Sequence, residues 1–199
     1  MELASCRAII VGGASGMARA TAQRIAGAGG KVAILDRPQS AGAEVAAELG
    51  GTFHECDVTD FDGTGAVIAA AAEALGGIDA SVNTAGGGIA KRTMSKDGPH
   101  PIDDFRKVVD LNLISSFNVA RLAAEHMARN EPNDDGERGV IISTASIAAF
   151  EGQIGQVAYA AAKSGIVGMT FTMARDLGSL GIRANAIRSE ERRVGKECR

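Results

Sequence analysis

Short runs of β-branched, apolar residues alternate with helical patterns along nearly the whole chain, and this alternation constrains the fold most. Because parallel strands need helical crossovers that cover both faces of a sheet, the pattern predicts a doubly wound α/β sheet in a single domain. The predicted strands span residues 7–11, 31–36, 51–57, 78–83, 139–146 and 181–187. The predicted helices span residues 17–28, 40–49, 61–75, 102–129 and 157–177, and residues 89–100 are predicted to form a loop.

Composition excludes several classes of protein. Apolar residues make up 45% and charged residues 23% of the 199 residues, which favours a packed domain over a disordered chain. Aromatic residues make up 4% and the net charge is −3, so neither base stacking nor electrostatics predicts nucleic acid or an anionic membrane as a partner. No apolar run is long enough to span a bilayer, and the N-terminus lacks a secretory signal pattern. Three distant cysteines and scattered histidines predict no metal site and a reducing, cytoplasmic compartment.

The first predicted strand ends in a glycine cluster, GGASGMA at residues 12–18, which opens the first predicted helix. In this place Gly12, Ser15, Gly16 and Met17 can form a cradle for a pyrophosphate. Backbone without a Cβ can approach the phosphates, and a helix N-terminus offers free N–H groups. A plain tight turn is the alternative interpretation.

Acidic and polar residues follow the next strands. Asp36 ends the second strand, 20 residues after Gly16, where a carboxylate can bind the adenosine ribose of NAD and would repel the 2′-phosphate of NADP. Arg37 follows and can partly offset that repulsion. Candidate cofactor contacts at the same edge of the sheet, after the third and fourth strands, are Asp57, Val58, Asn83, Thr84, Ala85 and Gly86. Ordinary strand-end turns are the alternative for this second group.

Three residues near the fifth strand suggest acid–base chemistry. Tyr159 is the only tyrosine, and Lys163 lies four residues later, on the same face of a predicted helix. A lysine ammonium beside a phenol favours the phenolate, which lowers the tyrosine pKa and makes a usable general acid and base. Ser146 ends the fifth strand and can donate a hydrogen bond to a substrate oxygen. A chance Tyr–Lys pair on a helix surface is the alternative.

Taken together, these segments resemble the short-chain dehydrogenase/reductase family, which implies a one-domain Rossmann-type fold and hydride transfer with NAD(H). The matching pieces, in the family's order, are GGASGMA (12–18), Asp36, CDV (56–58), NTAG (83–86), Asn112 within DLNL, STAS (143–146), YAAAK (159–163) and IRANAI (182–187). Two positions depart from the family's pattern. Val11 replaces a threonine before the first glycine, and Ala18 replaces the third glycine.

The resemblance also implies roles for individual residues. Ser146 would polarise the substrate's carbonyl or alcohol, and Tyr159 would transfer the proton. Lys163 would lower the tyrosine pKa and hold the nicotinamide ribose, so Tyr159 and Lys163 would also contact the cofactor. Asn112 would brace the site and a proton-relay water. Gln153 either contacts the substrate together with Ser146 and Tyr159 or is an ordinary loop residue.

Within the family, residues 128–178 are similar to the type-2 3-hydroxyacyl-CoA dehydrogenases. This similarity implies NAD-dependent interconversion of a 3-hydroxyacyl-CoA and a 3-ketoacyl-CoA. It also implies an acyl-CoA as small-molecule partner and a homodimer or homotetramer. The alternatives are a steroid, a sugar or a 3-ketoacyl carrier protein as substrate, or an inactive cofactor-binding fragment.

The last twelve residues, RSEERRVGKECR at 188–199, differ from the rest in composition. They resemble the translation of a sequencing-library adapter, and a solvated charged tail is the alternative. We therefore expect an incomplete domain over residues 1–187, with a non-native tail in place of the family's C-terminal part. On this interpretation the 199-residue polypeptide is inactive or poorly folded, while its intact parent is an enzyme.

Overall fold

The computed structural model describes residues 1–188. The strands are β1 (Arg7–Val11), β2 (Lys31–Asp36), β3 (Thr52–Glu55), β4 (Ala80–Asn83), β5 (Met94–Ser95), β6 (Gly98–Pro99), β7 (Gly139–Thr144) and β8 (Ile182–Ile187). The helices are α1 (Gly16–Gly27), α2 (Gly42–Glu48), α3 (Gly63–Leu75), α4 (Ile102–Val109), α5 (Ser115–Met127) and α6 (Val157–Gly178). A π-helical segment, Asp110–Ile114, joins α4 to α5, and short 3₁₀ helices lie at Leu3–Ser5 and Ile147–Ala149.

Six of the strands form one parallel sheet in the order β3-β2-β1-β4-β7-β8. The central strand β1 pairs on one side with β2, where Ile9 lies opposite Ala33, and on the other with β4, where Ile9 lies opposite Ser81. The strand order reverses direction between β1 and β4, and this switch point opens a crevice at the carboxyl ends of the strands. The predicted doubly wound, Rossmann-type α/β fold is confirmed.

The core lies on both faces of the sheet because the central strands are apolar on both faces. On one face, Ile9 of β1 belongs to a buried cluster with Ile68 of α3 and Val119 of α5. On the other face, Ile10 packs in a second cluster with Ala22 of α1. The helices therefore cover both sides of the sheet and leave its carboxyl edge for a site.

The secondary structure differs from the predictions most clearly in two places. The loop predicted for residues 89–100 contains an antiparallel hairpin, β5 with β6, in which Met94 lies opposite Pro99. Gly98 makes this turn possible through a φ of +115°. The single helix predicted for residues 102–129 is divided by the π-helical segment, where the Ser115 N–H bonds to the Asp110 carbonyl, five residues back.

No helix within residues 1–188 is long and apolar enough to cross a membrane. The same part of the chain brings no group of three or more His, Cys, Asp or Glu side chains together as metal ligands. The predicted non-native tail begins at Arg188, and its residues after Arg188 lie outside the described part of the chain. The tail and the domain limit at residue 187 both stay predictions.

Candidate active site

A cavity of about 550 Å³ opens at the carboxyl edge of the sheet, at the switch point between β1 and β4. It brings together most of the predicted cofactor contacts: Gly12, Ser15, Gly16, Met17, Asp36, Asp57, Val58, Thr84, Ala85 and Gly86. Sequence reasoning missed four of its lining residues, which are Leu35, Cys56, Thr59 and Leu111. Cys56 and Thr59 flank predicted positions. Nothing in the sequence pattern distinguishes Leu111 from the other apolar residues of its helix.

The glycine loop lies against the segment after β4, and two of its glycines have conformations that other residues rarely adopt. Gly12 has a φ of +77°, and a Cβ built there would lie 3.1 Å from the Thr84 Oγ1 atom. Gly16, the first residue of α1, has a φ of +56°. The loop backbone is therefore exposed to the cavity beside a helix N-terminus, as a bound pyrophosphate requires.

Asp36 holds the glycine loop in place. One carboxylate oxygen, Oδ2, accepts a hydrogen bond of 3.0 Å from the Ala14 N–H, and Oδ1 accepts one of 2.8 Å from the Arg37 N–H. An anionic acceptor makes these bonds stronger than neutral ones. The side chain predicted to select the cofactor therefore also fixes the backbone of the cradle.

A second carboxylate, that of Asp57, lines the same cavity. Asp57 Oδ1 accepts hydrogen bonds from the Thr59 hydroxyl at 2.6 Å and from the Thr59 N–H at 2.9 Å. These bonds lower the pKa of Asp57 below its usual value. Burial raises the pKa of the neighbouring Cys56 thiol to about 11, so this cavity residue is a neutral thiol at physiological pH.

Asn83 lies beneath the cavity instead of on its wall. Its buried side chain donates a hydrogen bond of 3.2 Å to the Ser116 hydroxyl and accepts one of 3.0 Å from the Ala85 N–H. The Asn83 carbonyl accepts a bond of 2.9 Å from the Thr144 hydroxyl. Its visible role is to shape the turn that carries Ala85, and its contact with a cofactor stays a prediction.

Asn112 is completely buried in the π-helical segment and binds the glycine segment after β4. Its amide nitrogen donates to the Gly87 carbonyl at 2.7 Å and to the Val108 carbonyl at 2.8 Å, and its Oδ1 accepts from the Gly87 N–H at 3.2 Å. A Cβ added to Gly86 would lie 2.6 Å from that oxygen. Asn112 can approach so closely only because residue 86 is glycine.

Helix α6 places Tyr159 and Lys163 one helical turn apart, beside the glycine segment after β4. Neither is among the residues that line the cavity, so their contact with a cofactor stays a prediction. The Lys163 Nζ atom lies 5.5 Å from the centre of the Tyr159 ring and donates a hydrogen bond of 2.7 Å to the Thr144 carbonyl. A Cβ added to Gly86 would lie 3.5 Å from the same Nζ. Because Lys163 is only 3% exposed, burial lowers the pKa of its ammonium from 10.5 to about 8.

Ser146 follows β7 and caps the 3₁₀ helix that packs on α6. Its Oγ accepts a hydrogen bond of 3.2 Å from the Ala148 N–H, so the hydroxyl proton is available for a second partner. Gln153 lies on the exposed loop before α6 and lines a separate groove of about 440 Å³. Its contact with substrate stays a prediction.

The residues present fit a dinucleotide. Gly16 lines the cavity and a Cβ built there would meet no protein atom within 4 Å, the glycine loop offers N–H groups to phosphates, and the Asp36 carboxylate lines the same cavity. Tyr159 and Lys163 lie beside the glycine segment that continues from this cavity.

Comparisons with known proteins agree with this geometry. The family model described as short chain dehydrogenase matches residues 7–190. The 3-hydroxyacyl-CoA dehydrogenase type-2 proteins of Bos taurus and Homo sapiens are each 47% identical over 194 residues, which cover 92% of this chain and 74% of theirs. The crystal structure of 3-hydroxyacyl-CoA dehydrogenase type-2 from Mycobacterium avium superposes with a TM-score of 0.87 at 45% identity, over 92% of this chain and 74% of that one.

Proposed function

The chain belongs to the short-chain dehydrogenase family and is an oxidoreductase, and on this premise we propose that it interconverts a 3-hydroxyacyl-CoA and a 3-ketoacyl-CoA with NAD(H). The arrangement of Tyr159 and Lys163 on α6, with the Lys163 ammonium beside Gly86 of the glycine-lined cavity, is the observation that carries the proposal. The relatives' names support the choice of acyl-CoA as the substrate class.

In this proposal the cavity would hold the cofactor. Gly12, Ser15 and Gly16 would hold the pyrophosphate, Asp36 would bind the adenosine ribose, and Lys163 would bind the nicotinamide ribose. Met17, Val58 and the segment Thr84–Gly86 complete the walls around it. The bound nicotinamide would donate or accept the hydride, which no side chain can do.

The chain's own residues then handle the proton. In the direction of reduction, the Tyr159 phenol donates its proton to the carbonyl oxygen of the substrate. The Ser146 hydroxyl donates a hydrogen bond to the same oxygen while its Oγ still accepts from Ala148. The Lys163 ammonium stabilises the phenolate left behind, and Asn112 keeps the segment after β4 in place.

The preference for NAD over NADP rests on Asp36. Its carboxylate lines the cavity and would repel a 2′-phosphate. The positive charge of Arg37 faces two carboxylates in this cavity, Asp36 and Asp57, and therefore offsets only part of the repulsion. The test compares NADH and NADPH binding to the wild type by fluorescence titration. We expect tighter binding of NADH, and equal affinities would refute the preference.

Two variants separate the charge of Asp36 from its structural bond. Asp36→Asn removes the charge but keeps an oxygen that can accept from the Ala14 N–H, whereas Asp36→Ala removes both. We expect the asparagine variant to gain affinity for NADPH at little cost to folding. We expect the alanine variant to lose affinity for both cofactors.

The substrate class is tested on the intact parent of this chain, by NADH oxidation with acetoacetyl-CoA, a steroid ketone, a keto sugar and a 3-ketoacyl carrier protein. We expect the highest kcat/KM with acetoacetyl-CoA, and a higher value with another substrate would replace the acyl-CoA assignment. Tyr159→Phe serves as the control, because it keeps the ring but removes the proton. We expect it to bind NADH normally and to lose at least about 100-fold in kcat. Normal NADH binding without turnover of any substrate would favour a cofactor-binding protein instead.

A cytoplasmic location and a homo-oligomeric state belong to the same proposal. The two cysteines in the described part of the chain are free and buried, which fits a reducing compartment. Three large apolar residues are 41–49% exposed, which fits a subunit interface. They are Ile114 just before α5, Phe117 on α5 and Val157 on α6. Light scattering on the purified protein tests the assembly, and a monomer would contradict it.

A further inference from the structure

A second groove, of about 440 Å³, runs beside the proposed catalytic tyrosine. One wall is formed by residues 91–93, in the segment after β4, and the other by residues 152–157, in the loop before α6. Ala160, the neighbour of Tyr159, lies in the groove. The segment after β4 also approaches the tyrosine, because a Cβ added to Gly88 would lie 3.6 Å from the ring of Tyr159. The wall at residues 91–93 therefore continues a segment that lies close to the ring of Tyr159.

Lys91 connects this wall to three other parts of the fold. Its backbone N–H donates a hydrogen bond of 2.9 Å to the Gly155 carbonyl, across the groove. Its carbonyl accepts a bond of 3.2 Å from the Nδ1 atom of His100. Its ammonium donates to Asp104 Oδ2 at 2.5 Å, in the first turn of α4. One residue thus joins both sides of the groove to the hairpin and to a helix.

His100 closes the base of the β5–β6 hairpin on the same helix. The backbone N–H of His100 donates a hydrogen bond of 2.9 Å to the Thr93 carbonyl. The imidazole ring packs edge-on against Phe105, with the ring centres 6.4 Å apart. The hairpin itself pairs only over two residues on each side, so it supplies little rigidity of its own. The order of the wall therefore depends on the contacts of Lys91 and His100 with α4.

We propose that Lys91, acting through its ion pair with Asp104, is a positioning residue that fixes the loop wall beside Tyr159 and so lowers the KM for the acyl substrate. The inference rests on the proposed function for its kinetic consequence only. Lys91 does not reach the cofactor cavity or Tyr159 in the described contacts, so its loss should leave the chemical step and NADH binding intact. Since the Lys91 side chain is 48% exposed, its ion pair has the modest strength of a surface pair, and the effect should be a few-fold.

The kinetic test is a double-mutant cycle of Lys91→Met and Asp104→Asn, assayed with acetoacetyl-CoA and NADH. We expect each single variant to raise KM about three- to fivefold at unchanged kcat and unchanged Kd for NADH. The double variant should be no worse than either single one, because both remove the same interaction. Lys91→Arg should restore the wild-type KM. Lys96→Met on the hairpin turn is the matched control, since the Lys96 ammonium makes no ion pair within residues 1–188.

Hydrogen exchange gives a readout that needs no turnover. In the peptide over residues 86–93, the Lys91→Met and Asp104→Asn variants should exchange about three- to fivefold faster than the wild type, while Lys96→Met should not. An unchanged exchange rate in this peptide would overturn the proposal, as would faster exchange throughout the chain. A wild type that does not reduce acetoacetyl-CoA contradicts the proposed substrate, and the exchange result then still decides whether Lys91 fixes the wall.

Discussion

Lys163 should make the stability of the cofactor-free protein rise with pH in the alkaline range. Burial lowers the pKa of this ammonium from 10.5 to about 8, so between these values the folded protein has lost a proton that the unfolded chain still holds. Stability increases with pH wherever the unfolded state binds more protons, by about 1.4 kcal/mol per pH unit for one group. From pH 7 to pH 9.5 the contribution of Lys163 to the free energy of unfolding should therefore grow by about 2 kcal/mol.

The measurement is urea denaturation of the wild type and of Lys163→Met at pH 7, 8 and 9.5, followed by circular dichroism. The comparison between variants is necessary because burial raises the thiol pKa of Cys6 and Cys56 from 9.0 to about 11. Those thiols oppose the trend, since the unfolded chain loses their protons first, but both proteins contain them. The free energy of unfolding of the wild type, minus that of the variant, should rise from pH 7 to pH 9.5. If this value stays constant or falls, the reasoning is refuted.

Three further substitutions test the packing of the site and its support by urea denaturation. Asn112→Ala leaves the N–H and the carbonyl of Gly87 without their side-chain partner and should lower the free energy of unfolding by about 2–3 kcal/mol. A loss below about 1 kcal/mol would contradict the bracing role of Asn112. Gly13→Ala places a Cβ 2.8 Å from the Ile10 carbonyl oxygen of β1, so it should lower the free energy of unfolding by about 1–3 kcal/mol and weaken NADH binding. In the control Gly168→Ala on α6, the added Cβ meets open space, so this variant should be more stable than the wild type. Asp79→Ala removes the carboxylate that accepts from the backbone N–H and the Nε of Arg7 and should cost about 1.5–3 kcal/mol at pH 7.

The architecture could be predicted because each central strand is a short apolar run that is buried on both faces. Residues 7–11 and 31–36 were predicted as strands, and the structure has the same limits. The third strand was predicted over 51–57 but ends at Glu55, and the fifth over 139–146 but ends at Thr144. These limits depend on where the neighbouring strand stops pairing, which a local pattern does not contain.

Most of the residues that line the cavity could be predicted in the same way, but the contacts that support them could not. Residue type and spacing are enough to recognise a glycine cluster between strand and helix, or a Tyr–Lys pair at helical spacing. The π-helical turn around Asn112 leaves no such mark, since DLNL is compatible with an ordinary helix. The link from Lys91 to Gly155 joins segments 64 residues apart, and only the folded chain brings them together.

Several polar side chains predicted to belong to the site are already bonded to the protein's own backbone. Asp36 bonds to Ala14 in the glycine loop, Asn83 to Ala85 and Asn112 to Gly87, so each fixes a turn whose backbone faces the cavity. Loss of activity in an alanine variant of such a residue would therefore not distinguish a contact with the ligand from a collapsed cradle. The contrast between Asp36→Asn and Asp36→Ala separates the two, because only the first keeps the acceptor for the loop while removing the charge. If both variants change the NADH-to-NADPH preference equally without weakening NADH binding, the bond to Ala14 does not shape the cradle. If only the alanine variant loses both cofactors, the carboxylate of Asp36 builds the site as well as selecting its ligand.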